Sequence, residues 1–126
     1  MATLCNDVTI HVAVHDQPLA GRVTAAFLFE VLTQELTRLV VVEEIAEGPK
    51  SVVVFETSPR AEHACGLNVV AHGADGLVRD LTVFFRPLAS LRALADVIGA
   101  RMAERSGPPP EGSAEMERIL VVGRLG

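Results

Sequence analysis

Apolar and polar side chains alternate from Asp7 to His15. Val8, Ile10, Val12 and Val14 fall on one face, and Asp7, Thr9, His11, Ala13 and His15 on the other. A period of two over this length predicts a half-buried strand. Asp16 to Gly21 reads as a loop. From Arg22 to Leu36 the period lengthens. Phe27 with Val31 and Leu28 with Leu32 stand four apart and predict an amphipathic helix, with Glu30, Thr33, Gln34 and Thr37 on its polar side. Leu39 to Glu47 and Ser51 to Ser58 are β-rich and flank a turn at Gly48-Pro49-Lys50. Their runs Leu39–Val42 and Val52–Phe55 do not alternate, which predicts strands covered on both faces.

A polar bend, Ser58 to His63, leads into the stretch around which the fold is organised. Strands are predicted at Leu67 to His72 and Leu77 to Arg86, joined by the turn Gly73-Ala-Asp-Gly76, where Asp75-Gly76 suits a positive φ. On the second strand Leu77, Arg79, Leu81, Val83 and Phe85 share one face, and Val78, Asp80, Thr82, Phe84 and Arg86 the other. Pro87 stops the strand and suits the first turn of a helix, because its missing N–H is not needed there. Leu91, Leu94, Ile98 and Met102 then recur at helical spacing. After Ser106, Gly107 to Ser113 is a Pro/Gly linker, and the tail from Glu115 to Gly126 holds an apolar centre, Ile119–Val122. The chain thus divides into a domain, 1–106, and a linker with a short tail, 107–126. The tail either adds a strand to a sheet edge or stays disordered.

With 126 residues, the chain suffices for one core, and 49% hydrophobic with 21% charged residues is a globular balance. A net charge of −5, with Lys50 the only lysine, argues against nucleic acid as a partner. No apolar run approaches the roughly 20 residues that span a bilayer. The first residues lack the pattern of a secretory signal, so a cytoplasmic location is expected. Cys5 and Cys65 do not make a disulfide framework. The four histidines show no zinc-like spacing, and His11 and His15 would lie about 13 Å apart on an extended strand. No metal site and no cofactor is implied. Absence of tyrosine removes the phenol as an oxyanion donor.

Gly66-Leu-Asn-Val-Val, the Asp75-Gly76 turn, Leu81-Thr-Val-Phe-Phe-Arg-Pro and Leu91-Arg-Ala-Leu-Ala resemble the C-terminal half of the nuclear transport factor 2-like superfamily, in its SnoaL-like branch. Asp7-Val-Thr-Ile-His11 followed by Pro18-Leu-Ala-Gly-Arg22 resembles that branch's first strand and the start of its next helix. The resemblance covers roughly residues 7 to 104. It implies an α+β fold, a curved, mostly antiparallel sheet wrapped around helices (a cystatin-like cone) with a deep apolar pocket. Relatives include ketosteroid isomerases, polyketide cyclases and limonene epoxide hydrolases, together with proteins that only bind. The superfamily places one or two helices before its first strand. Here those helices are shortened or absent, so the pocket is either more open or covered by the tail. The resemblance also suggests a homodimer through the sheet, which the apolar runs support.

Most of the superfamily's catalytic residues have no counterpart in this chain. The simplest scheme, one pocket acid, leaves Asp80 as candidate base, provided the face that carries Phe84 turns into the cone. Desolvation would then raise its pKa toward neutrality, whereas Arg86 beside it would pull the pKa back down. Asn68 and His11 or His72 are candidate oxyanion donors. His11, Phe27, Phe55, Asn68, Thr82, Phe84 and Arg86 are the candidate ligand contacts. The alternative reading is an ordinary cross-strand or surface ion pair at Asp80, with the other groups as polar edge residues. Two functions follow. One is a pocket for a small apolar molecule, with isomerase or cyclase activity through Asp80. The other is a non-catalytic dimeric binding or assembly module with a pocket filled by side chains or tail.

Overall fold

The computed structural model describes residues 4–13, 17–58, 63–105, 116 and 118–122. Six strands are β1 (Leu4–His11), β2 (Leu19–Ala20), β3 (Val40–Glu47), β4 (Lys50–Thr57), β5 (Ala64–His72) and β6 (Val78–Arg86). Two helices are α1 (Arg22–Glu35) and α2 (Leu88–Ala103). The strands form one curved sheet in the order β2-β1-β6-β5-β4-β3. Only β1 and β6 run parallel; every other pair is antiparallel. Register shifts at Leu4/Thr9, Val41/Glu43 and Ala71/His72 are places where such a sheet bends.

The turns form for local reasons. Gly48 takes φ 59° between Glu47 and Lys50, which pair directly. At the second hairpin Gly76 takes φ 82°, and the Asp75 carboxylate accepts from the Leu77 N–H over 3.0 Å. The strand predicted at Asp7–His15 begins earlier, at Leu4, and ends at His11, because Leu4 already pairs with Val78 of β6. His15 and the Gly107–Ser113 linker lie outside the described residues.

The inner side of the sheet packs on both helices. Val8 and Ile10 from β1, Phe55, Val70, Val78 and Leu81 from the other strands, Leu28 and Phe29 from α1, and Leu94 and Met102 from α2 form one buried cluster. Burying a side chain the size of Phe29 contributes about 1.5–3 kcal/mol. Helix α2 turns inward the side that its spacing predicts. Helix α1 buries Leu28 and Val31 as its spacing predicts, with Phe27 and Leu32 packed against the core; Ala25 and Phe29 are buried as well, and Glu30 is half-buried.

Within the single chain Val40, Val42 and Ile45 of β3, the last strand of the sheet, are exposed, so the covering expected for its second face would fall to a partner subunit. The described part of the tail does not add a strand to the sheet. Arg118–Val122 forms a π-helical turn against β4 and β5, burying Leu120 and Val121, with Met116 buried just ahead of it. No helix among the described residues is long and apolar enough to cross a membrane.

Candidate functional site

Between the sheet and its helices lies a hollow of ≈ 60 Å³. Its floor is the inner face of three adjacent strands: Phe55 of β4, Asn68 of β5, and Leu81, Val83 and Phe85 of β6. Helix α1 adds Leu28, Phe29 and Leu32, and α2 adds Leu91, Leu94 and Ile98. Leu120 of the tail turn closes it. The volume exceeds the ~10–15 Å³ needed for one water, yet falls well short of the roughly 300–1,000 Å³ of a drug-sized pocket.

Asn68 is the one polar residue among the described residues of this lining, and it is 2% exposed. It points inward because β5 alternates, with Gly66, Asn68 and Val70 buried. Its Nδ2 donates to the Leu120 carbonyl over 2.9 Å. A carbonyl only accepts, so the amide orientation is determined and Oδ1 is the atom left over. Oδ1 is buried and has no hydrogen-bond partner. A buried acceptor without a partner costs about 1–3 kcal/mol.

The residues predicted to line the pocket divide between two faces. Phe55 and Asn68 lie inside. Phe27 packs against the core but not on the hollow, which takes its neighbours Leu28 and Phe29. The condition set on Asp80 is not met. Leu81, Val83 and Phe85 turn inward, so Asp80, Thr82, Phe84 and Arg86 stand on the outer face of β6, with His11 beside them on β1. His11 Nε2 donates to Asp80 Oδ2 over 3.2 Å, and both side chains are more than 40% exposed. Such a pair is worth at most about 1 kcal/mol. Arg86 reaches Cys65 across the β5–β6 ladder, Nη1 to Sγ 3.7 Å, rather than Asp80. His72 Nδ1 donates to the Gly76 carbonyl over 3.3 Å at the hairpin turn. The physical reason is the composition of β6. Of its two faces, the one with Leu81, Val83 and Phe85 carries less polar surface, and burial selects it.

The shifted ionisable groups lie away from the hollow. Cys5 donates its thiol to Asp7 Oδ1 over 3.1 Å. Burial, then that hydrogen bond, pushes the Cys5 thiol up, and the same bond holds the Asp7 carboxyl below its ordinary range. No three His, Cys, Asp or Glu side chains among the described residues are grouped to hold a metal ion.

Of the residues predicted as ligand contacts only Phe55 and Asn68 line the hollow; the rest of the lining, from Val12 and Leu28 to Leu81, Leu94 and Leu120, was missed. Alternation marked Val12 as apolar-facing and the Ile119–Val122 run marked Leu120, whereas Ala13 was read on the opposite face.

No protein-family model matches the chain, and no curated protein matches it. Solved structures do. An uncharacterised protein with a cystatin-like fold from Silicibacter pomeroyi DSS-3 superposes with TM-score 0.77 at 22% identity, over 81% of this chain and 72% of that one. A steroid delta-isomerase from Pseudomonas aeruginosa gives 0.75 at 21% identity, over 80% and 75%. A SnoaL-like protein of unknown function from Burkholderia thailandensis E264 gives 0.56 at 14% identity, over 68% and 76%. The chain therefore has the cystatin-like fold of nuclear transport factor 2-like and SnoaL-like proteins, as its motifs predict.

Proposed function

We propose that this chain, built on the nuclear transport factor 2-like fold, is a binding module for a small apolar molecule held in the cone and that it performs no proton-transfer chemistry there. One observation carries this reading: among the described residues the hollow is lined by apolar side chains and a single amide, while Asp80 faces the opposite way. Isomerisation or cyclisation by an acid–base route needs a titratable group within hydrogen-bond reach of the substrate. None of the described side chains that line the hollow titrates. Steroid delta-isomerase activity, which one structural neighbour bears in its name, would have to arise here without such a group.

The test is native mass spectrometry of the purified full chain after incubation with a mixed lipid and polyketide extract. Retention of an apolar molecule, returned unchanged, supports the reading. Conversion of that molecule, lost in Asp80→Asn, would restore the acid–base alternative. No retained mass from any extract would overturn the pocket itself.

A second part of the proposal concerns the outer face. Val54, Leu67 and Phe84 stand side by side across β4, β5 and β6, and Phe84 is 53% exposed. Val52 and Val69 continue this face in the next row, beside exposed Ile45. An apolar strip of this kind, rimmed by Glu56, Arg86, Asp80 and Lys50, suits self-association about a two-fold axis. A homodimer through the sheet is therefore part of the reading. The two thiols are free, which agrees with a reducing, cytoplasmic setting.

A further inference from the structure

The orphaned oxygen of Asn68 says more about the ligand than the hollow's shape does. We propose that the hollow recognises an apolar alcohol: a neutral molecule whose one hydroxyl donates to Asn68 Oδ1 while its hydrocarbon body fills the space between β6, α1 and α2. The inference rests on the apolar-pocket reading above and adds the polar group.

Most polar chemistries are incompatible with Oδ1. Oδ1 only accepts, so the ligand must bring a donor. The Nδ2 side already serves the Leu120 carbonyl, so a ligand carbonyl placed against Oδ1 would face lone pair to lone pair. A carboxylate fails for the same reason and carries charge besides. An ammonium donates, but it would leave water for a lining in which no described residue is a carboxylate. An amide N–H donates too, yet brings a carbonyl for which no second polar side chain stands among the described lining residues. A hydroxyl leaves the least unsatisfied. A lone water could also reach Oδ1, but it would turn its second hydrogen toward Val83, Leu94 and their neighbours, where an alcohol presents alkyl carbon.

Size ties the tail to this site. The hollow of ≈ 60 Å³ is small for a ring-sized molecule while Leu120 closes it. Leu120 is the movable wall, because its turn is five residues long and belongs to neither the sheet nor the long helices. A ring-sized alcohol therefore enters against the Arg118–Val122 turn. The Leu120 side chain gives way while its carbonyl keeps Asn68 Nδ2, so the hydroxyl satisfies Oδ1, the end that a ketone cannot.

The test titrates the full-length chain with cyclohexanol, cyclohexanone and methylcyclohexane, three probes of nearly equal size, followed by the side-chain amide resonances of Asn68. The expected result is that cyclohexanol binds about tenfold tighter than cyclohexanone, with the Asn68 amide protons and the backbone of 118–122 shifting together. In Asn68→Leu, an apolar replacement of similar shape, that preference collapses toward one. The wild-type comparison stands even where the variant does not fold. Equal binding of alcohol and ketone, as when Oδ1 keeps a water, overturns the hydroxyl assignment while leaving the apolar pocket intact. Failure of all three probes to bind overturns both. Tighter binding of cyclohexanol with no change in residues 118–122 would retain the hydroxyl and overturn the role given to the tail.

Discussion

Phe55 and Phe85 meet across a strand that separates them. Their ring centroids lie 6.3 Å apart with planes tilted by 41°, and Gly66 of β5 is the register partner of both. The contact exists because the intervening position has no side chain. It joins two of the three strands that floor the hollow, and tilted aromatic pairs of this kind contribute about 0.5–1.5 kcal/mol beyond area burial.

Gly66→Ala should therefore be costly. A Cβ there would stand 2.6 Å from Phe55 Cζ and 2.7 Å from the Phe84 carbonyl oxygen. The ring can turn; the backbone oxygen cannot move without bending β6. A loss of about 1–3 kcal/mol is expected, as for overpacking elsewhere. Urea unfolding should show it as a lower midpoint at unchanged slope. A midpoint equal to wild type would mean that the three strands are less closely apposed than described.

Asp80→Asn should do almost nothing. The Asp80–His11 pair is exposed, so its loss should change stability by no more than about 1 kcal/mol. Retention of apolar probes should be unaltered, because Asp80 stands across the sheet from the hollow. A tenfold change in probe affinity would show that the outer face communicates with the site.

Phe84→Ser should separate copies of the chain without unfolding them, since Phe84 is already half in solvent and its removal costs little in the monomer. Sedimentation velocity should give twice the 13.4 kDa chain mass for wild type and the single mass for the variant. A wild-type chain that sediments as a monomer at tens of micromolar would remove the dimer from the proposed function.

Stability should fall on the alkaline side in a way that depends on Cys5. Its thiol is pushed above the ordinary value of 9.0 by burial and by Asp7. The folded state thus holds the proton more tightly than the unfolded chain. The contribution is complete below the ordinary thiol value and is lost as pH rises through the higher folded one. Asp7 runs the other way: its folded value is lowered by the Cys5 hydrogen bond, so its contribution is present at neutral pH and fades in acid as pH falls through that value. Urea midpoints of wild type and Cys5→Val, measured from pH 7 to 10.5, should diverge above pH 9, with wild type falling faster. Parallel curves would contradict a buried, protonated Cys5.

How far the site could be read in advance depended on how local its determinants are. The inward sides of Asn68 and Phe55 were legible, because each sits on a strand whose neighbours alternate or pair in an obvious hairpin. Phe27 was displaced by one position, since α1 carries apolar residues at 25–29 without a break and the sheet chose which of them to cover. The two faces of β6 both contain apolar residues, and a search for a pocket acid favours the wrong one. Counting polar groups alone would have turned Leu81, Val83 and Phe85 inward.

Periodicity, the two glycine turns and Pro87 were enough to set the kind and order of five of the six strands and both helices, because hydrogen bonding and side-chain direction within a strand or helix depend on residues a few positions away. They did not set the short β2, which reads as loop. They were enough, too, for the hydrophobic side of α2; the cystatin-like cone was implied only by the resemblance of the motifs to a known superfamily. Long-range packing decided what the molecule can recognise. The parallel pairing of β1 with β6 brought His11 to Asp80, sixty-nine residues along the chain. The docking of the tail placed the Leu120 carbonyl against Asn68, fifty-two residues away. Neither contact has a local signature, since each arises only when separate elements bury their apolar sides against one another and bring the attached polar groups along.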